Sequence, residues 1–396
     1  MNVQPNGLMH GRRVEIFHHE SDPAWGYKQP QEDTFAVYYP KDYDSAKTYP
    51  LCVVFHSAGH GVWSCFGCVE RDGNHDIYHV PDDMFGLYLD CYTQRYTEGN
   101  TDWWWGGNDA NEDGVTERSG TAQQPVEKRA IATVEWTIAN YPIDKERVYA
   151  VGNSMGGSGS LGIALCRGDL FAALKVNVPA GTRHAMDRCA LDREAPAGFK
   201  IPDPPVLVDY SAQDDCWSRG HDRFYKAMQA HRYAAMGFWG AFGHANDNSV
   251  IAKENDLIHA FNIFSVLLHE AYPAFTNAST DDAMPWPDHL DSKAAGQING
   301  FFRWRVLRDT AEEFSIELRL LDESEWQSRM TFPTESTADV TLRRLQNFTA
   351  APGEKIAYTF GEKSGTVTAD NALTVPHLTI RREPTVLTLR KCSYLV

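Results

Sequence analysis

Before about position 290, apolar residues come in short runs of strand length. Residues 13–19, 33–39, 51–56, 85–90, 147–152, 174–178, 205–211 and 235–239 are such runs, and helical patterns stand between several of them. Strands covered on both faces read as near-continuous apolar runs, so the pattern predicts a largely parallel sheet sandwiched between helices. The clearest helix follows Pro125, where Val126, Ala130, Val134 and Ile138 recur at helical spacing until Tyr141-Pro142 stops it. A second helix is predicted over 256–270, with Leu257, Ala260, Phe261, Phe264, Leu267 and Leu268 on one broad apolar face.

Beyond that point the texture changes. Residues 355–360, 365–369, 373–380 and 385–390 alternate or run apolar at β lengths between Gly, Asn and Pro. This predicts a small antiparallel β-sandwich. Residues 276–291 are polar and contain proline, the composition of a linker. The expected division is therefore 1–289 and 290–396.

Charge places the seam at the same point. The last 107 residues carry 14 Lys+Arg against 14 Asp+Glu, so the whole formal charge of −16 belongs to the part before 290. An acidic surface argues against nucleic acid and anionic membrane as partners, because a phosphate backbone attracts the opposite sign. The 396 residues, 42% hydrophobic and 23% charged, have the composition of an ordinary globular chain. No run approaches the ~20 apolar residues of a membrane span. The first 13 residues hold no apolar segment of the kind a signal peptide needs. Eight cysteines, seven of them before the seam, are too few for a disulfide scaffold and leave the redox compartment open.

The decisive segment is Arg147-Val-Tyr-Ala-Val-Gly-Asn-Ser-Met-Gly-Gly157. An apolar strand runs into Gly152-Asn153-Ser154-Met155-Gly156 and then into a helix of small residues. A serine at such a sharp turn has its hydroxyl lifted above the sheet edge, and the helix behind it aims N–H groups at the site. The N–H of Met155 is then placed to bind an oxyanion.

On Val54-Phe55-His56-Ser57-Ala58-Gly59 and Gly152 to Gly157, with a weaker match at Asp169-Leu170-Phe171-Ala172-Ala173, the chain resembles an α/β-hydrolase. It is similar to the serine esterases typified by feruloyl and acetyl-xylan esterases and polyhydroxyalkanoate depolymerases. The resemblance covers about residues 33–244. It implies an α/β-hydrolase sheet covered by helices, with 1–289 as the catalytic part and the C-terminal all-β sandwich as an accessory.

Chain order in that fold is nucleophile, acid, histidine. After Ser154, the strand 205–211 leads into Ala212-Gln213-Asp214-Asp215, and the family's spacing selects Asp214 with Asp215 behind it. Asp209 lies inside the strand, away from the loop. The next strand ends in Gly240-Ala-Phe-Gly-His244, which makes His244 the general base; His269 is the alternative, while His221 and His231 come too early. The second oxyanion donor falls to Ala58, with Ser57 behind it. The family usually has His-Gly where this chain has His56-Ser57.

Other signals invite a second reading. His56, His60, Cys65 and Cys68 have a spacing that suggests zinc, against buried thiols or a disulfide from Cys65 or Cys68 to Cys91. Asp109-Ala-Asn111-Glu-Asp113-Gly114 opens like a structural calcium loop, yet Gly120 stands where a bidentate Glu belongs, and Glu117 occupies the ninth position. A solvated acidic turn is the preferred explanation, with a structural calcium as the alternative. Trp103-Trp104-Trp105 lies where connections pass near the ligand-binding strand ends, so the three are candidates to line the cleft, against an anchoring role.

The expected function is hydrolysis of a carboxylic ester, of a small molecule or a plant polysaccharide, with no diffusible cofactor required. The alternatives are a polyester depolymerase, a peptidase of the prolyl-oligopeptidase type, and a non-catalytic binding protein whose sandwich carries the function.

Overall fold

Each of the eight apolar runs becomes a strand of one eleven-stranded sheet in the computed structural model, which describes residues 2–3, 7–27, 30–71, 73, 75–91, 103–105, 120–212, 216–244, 247–286 and 294–392. They are β1 (Arg12–Glu20), β2 (Glu32–Tyr38), β3 (Tyr49–Phe55), β4 (Phe85–Tyr88), β5 (Ile143–Asn153), β6 (Ala173–Asn177), β7 (Val206–Ala212) and β8 (Ala235–Gly240). Their order is β1-β2-β4-β3-β5-β6-β7-β8. From β4 to β8 the neighbours are parallel, and β1 and β2 add antiparallel pairs at one edge. This is the strand order of an α/β-hydrolase. Two short strands, Asn2–Val3 and Gly7–Met9, pair with β1.

Helices cover both faces because successive strand residues point to opposite sides. Val53, Phe55, Leu87, Ala150, Val176 and Leu207 face one way. They pack under α2 (Pro125–Asn140), α3 (Met155–Ala164), α4 (Arg183–Arg188) and α5 (His221–Ala230). The helix α2 starts where Pro125 and a capping box between Gln124 and Glu127 satisfy its first N–H groups. Cys52, Val54, Tyr149, Val151 and Val208 face the other way, against α1 (Val62–Val69) and α6 (Asn248–Glu254).

The long helix expected over 256–270 is not formed. Two single 3-10 turns, Asp256–His259 and Ile263–Ser265, stand in its place. Asn255 and Asn262 each accept a hydrogen bond from the backbone N–H two residues on, at 3.2 and 3.1 Å, and so offer the chain a turn instead of a helix. Leu257, Phe261 and Leu268 are buried all the same, while Ala260, Phe264 and Leu267 are half-buried.

Strand pairing crosses position 290 in both directions. The strand β9 (Tyr272–Thr276) joins a three-stranded sheet with β13 and β16, while β10 (Gly296–Ile298) returns to the large sheet and pairs antiparallel with β8. The remaining strands are β11 (Phe302–Asp309), β12 (Glu313–Leu320), β13 (Glu335–Arg343), β14 (Lys355–Phe360), β15 (Lys363–Thr368), β16 (Leu373–Arg381) and β17 (Thr385–Lys391). Five of them form a second antiparallel sheet in the order β11-β12-β17-β14-β15. The two small sheets share Val340, Leu378 and Ile380 with Ile316, Leu387 and Ile356 in one apolar layer, which makes the expected sandwich.

The sandwich is tied to the large sheet by arginines. Arg344 donates to the carbonyls of Phe171 and Ala172 at 2.7 and 3.1 Å, and Arg343 to that of Arg232 at 2.9 Å and to Asp203 at 3.1 Å. Among the described residues, no helix is long and apolar enough to cross a membrane.

Candidate active site

In a parallel sheet the carboxyl ends of the strands share one edge, and loops leaving that edge meet there. The turn 56–60 leaves β3, Ser154 leaves β5 and His244 follows β8. Ser154 and His244, 90 positions apart in sequence, are brought together by topology alone.

Ser154 has φ 55° and ψ −120°, a backbone conformation that costs a non-glycine residue on the order of 1–3 kcal/mol. Three backbone bonds hold it there. Its N–H donates to Asn177 at 2.9 Å, and its carbonyl accepts from Ser158 and Ala180, both at 3.0 Å. The neighbouring glycines are required by contact: a Cβ on Gly156 would lie 2.0 Å from the Phe55 carbonyl oxygen, and one on Gly152 would lie 2.2 Å from that of Gly156. The half-buried hydroxyl meets Nε2 of His244 at 2.6 Å.

The oxyanion turn is built by residues that no motif announced. The N–H of Ser57 donates to the Tyr78 hydroxyl at 2.7 Å, so it is engaged within the protein. Ser57 Oγ donates to the Asn153 carbonyl and accepts from Asn153 Nδ2, both at 3.0 Å, and from the Tyr78 hydroxyl at 2.8 Å. The serine that departs from the family's glycine thereby laces the turn to the elbow. Ala58 is exposed, and Met155 is the first residue of α3, where no intrahelical acceptor exists. Among the described residues neither N–H is engaged.

Asp214 and Asp215 lie outside the described residues, as do Asp109 to Gly114 and Glu117 of the calcium-like loop; Gly120 is described, and its carbonyl accepts from Arg188. His269 is exposed on the surface beside Glu146, which removes it as a competing base. His221 is fully buried elsewhere, in a cluster of its own. Its Nε2 lies 2.6 Å from Ser211 Oγ and 3.2 Å from Asp209 Oδ2, and the Tyr225 hydroxyl donates to the same carboxylate at 2.9 Å.

The tryptophans divide. Trp104 is fully buried, with its indole N–H donating to the His56 carbonyl at 3.0 Å and its ring edge-on to Phe55. Trp105 is buried with its ring stacked on His184 at 4.8 Å. For these two the expectation of a cleft lining is corrected to anchoring: each is worth more as buried apolar area than a rim could return. Trp103 is half-buried and remains the candidate for contact with a ligand.

Of His56, His60, Cys65 and Cys68, whose zinc-like spacing is the lesser reading beside buried thiols or a disulfide, only His60 and Cys68 come together as potential ligands. His56 is fully buried, with its Nδ1 at 2.8 Å from the Ser57 carbonyl and its Nε2 at 3.1 Å from the Cys91 N–H and 3.3 Å from Asp90 Oδ1. None of the eight cysteines is in a disulfide, so the bridge considered for Cys91 is not formed. Burial holds the Cys65 thiol well above its usual range. In their stead His75 comes beside His60 and Cys68. Burial, followed by the charges of His60 and His244, pushes the His75 imidazole down to about 4.

No family model and no curated protein matches the chain. Solved structures do. An S-formylglutathione hydrolase from Agrobacterium tumefaciens is 16% identical, with 63% of this chain and 94% of that one covered at a TM-score of 0.42. A ferulic acid esterase from Anaeromyces mucronatus gives 14%, 63%, 94% and 0.42. Vibralactone cyclase gives 15%, 61%, 74% and 0.39.

Proposed function

We propose that this protein is a serine hydrolase of carboxylic esters. The observation that carries the reading is the 2.6 Å contact between Ser154 Oγ and His244 Nε2 on an elbow held at positive φ. A strained serine paired with an exposed imidazole is costly to maintain and has a use when the hydroxyl must attack.

Ser154 Oγ adds to the ester carbonyl while His244 Nε2 takes its proton. The N–H groups of Met155 and Ala58 receive the oxyanion, and collapse expels the alcohol with the proton returned by His244. Water then repeats the sequence and releases the acid. On the sequence spacing, Asp214 holds the other imidazole nitrogen. Preformed donors cost no reorganisation when charge develops, which is why lacing Ser57 to Tyr78 and Asn153 matters.

We assign the substrate to acetyl or feruloyl esters of plant polysaccharide, with half-buried Trp103 offering an aromatic face to a sugar or aryl group. The test is labelling by a fluorophosphonate together with hydrolysis of a small aryl acetate, followed by a panel of acetylated xylan, feruloylated sugar and aliphatic polyester. Labelling at Ser154 with turnover supports the hydrolase. An unlabelled, inert protein would leave only a binding role for the fold, and preference for the polyester would replace the substrate.

A further inference from the structure

We propose that His60, Cys68 and His75 form a site for a single divalent cation of the zinc class. One ligand atom from each lies within 4.8 Å of the others. Cys68 Sγ stands 3.7 Å from His75 Nδ1, and the His60 and His75 rings are 4.6 Å apart between centroids. Zinc bound tetrahedrally at about 2.3 Å from sulfur and about 2.05 Å from nitrogen sets S···N separations of about 3.6 Å. The Cys68–His75 pair is already at that spacing, and the widest pair would close by about 1 Å through side-chain rotation.

Three separate pieces of chain supply the ligands. His60 ends the oxyanion turn, Cys68 lies in the last turn of α1, and His75 precedes the 3-10 turn Asp76–Tyr78. A second shell is in place. The hydroxyl hydrogen of Tyr78 goes to Ser57 Oγ at 2.8 Å, so at the 3.3 Å contact with His60 it is Nδ1–H that donates to the Tyr78 oxygen. The lone pair of His60 is then on Nε2, the nitrogen left for a metal, in the arrangement by which metal-binding imidazoles are usually fixed. The His75 ring stacks on the Tyr78 ring at 5.0 Å, which limits its rotation. Two imidazoles and a thiolate select Zn²⁺ or Co²⁺ over Mg²⁺ or Ca²⁺, which favour oxygen. Three protein ligands leave a fourth position for water or another donor.

The site is independent of the esterase reading, and its test does not use turnover. Chelator-treated full-length protein is titrated with Zn²⁺ against a chromophoric competitor, and with Co²⁺ while the absorption spectrum is followed. The expected result is one metal per chain, with a thiolate-to-cobalt charge-transfer band and visible bands of tetrahedral intensity. Cys68→Ser should abolish the charge-transfer band, and His75→Gln and half-buried His60→Gln should each weaken binding about 100-fold or more. Absence of stoichiometric binding, a cobalt spectrum with no sulfur band, or affinities unchanged in Cys68→Ser and His60→Gln would overturn the proposal. Thermal melts of each variant identify any that fail to fold, and His60→Gln, at the least buried position, then decides.

Discussion

Two serine–histidine pairs in this molecule have the same separation. Ser154 and His244 meet at 2.6 Å, and so do Ser211 and His221. Their settings are opposite. The first pair stands on a strained elbow at the carboxyl edge of the sheet, with an exposed imidazole and two unengaged N–H groups nearby. The second is fully buried, at the end of β7, with Asp209 and Tyr225 closing around it. Hydrogen-bond geometry alone therefore does not identify a nucleophile. Access, strain and oxyanion donors separate chemistry from structure.

The largest effect is expected at the elbow. Ser154→Ala should lower kcat by on the order of 10⁶-fold with the melting temperature preserved, whereas Ser211→Ala should keep turnover within a small factor. Equal losses of turnover in folded protein would make the buried pair catalytic and end the distinction. Next in size is the acid: Asp214→Asn should reduce kcat by about 10⁴-fold and Asp215→Asn far less. The reverse ranking moves the role one residue along.

The buried pair should answer in stability instead. Leaving partners of a buried hydrogen-bonded cluster unsatisfied costs about 1–3 kcal/mol, so Asp209→Asn should lower the urea midpoint while the folded fraction stays active. A smaller effect on rate is expected from Tyr78→Phe. It frees the Ser57 N–H and loosens the turn that carries Ala58, and kcat should fall by about 10-fold with KM little changed. An unchanged kcat would mean that the turn holds its aim without the tyrosine.

The last effect appears only in acid and concerns another buried histidine. His184, under Trp105, is pushed from 6.5 to about 3, by burial first and the Arg188 charge second. The unfolded chain therefore takes up a proton that the folded one refuses. Stability from this group is complete above 6.5 and is lost as pH falls through the window toward 3. His184→Gln should flatten that part of the stability–pH curve, measured by urea unfolding at several pH values.

Much of the frame was legible in the chain. The eight central strands and α2 fall within a few residues of where the apolar pattern puts them, because burial on both faces leaves a strong local signature. The elbow was legible for a steric reason, since only glycine fits at 152 and 156. The irregular segment 256–270 was not, because its apolar spacing suits a helix and only the asparagine side chains divert it. The strands β11 to β13 are not announced by the apolar pattern because charged residues interrupt it: Arg303, Arg305 and Arg308 in β11, and Glu313, Glu317 and Arg319 in β12.

By itself the sequence determined the strand–turn–helix elbow that carries Ser154 and which histidine follows the last parallel strand, because both are set by local chain geometry and order along the chain. Tertiary structure decided the rest. Ser57, Asn153 and Tyr78 join across 96 and 21 positions to aim the oxyanion turn. His75 replaces His56 beside His60 and Cys68, and Trp104 and Trp105 turn inward. The physical reason is common to all of these. Local sequence sets backbone conformation, but a side chain's partners are chosen by whichever elements the sheet brings within a few ångströms, and no spacing along the chain encodes that distance.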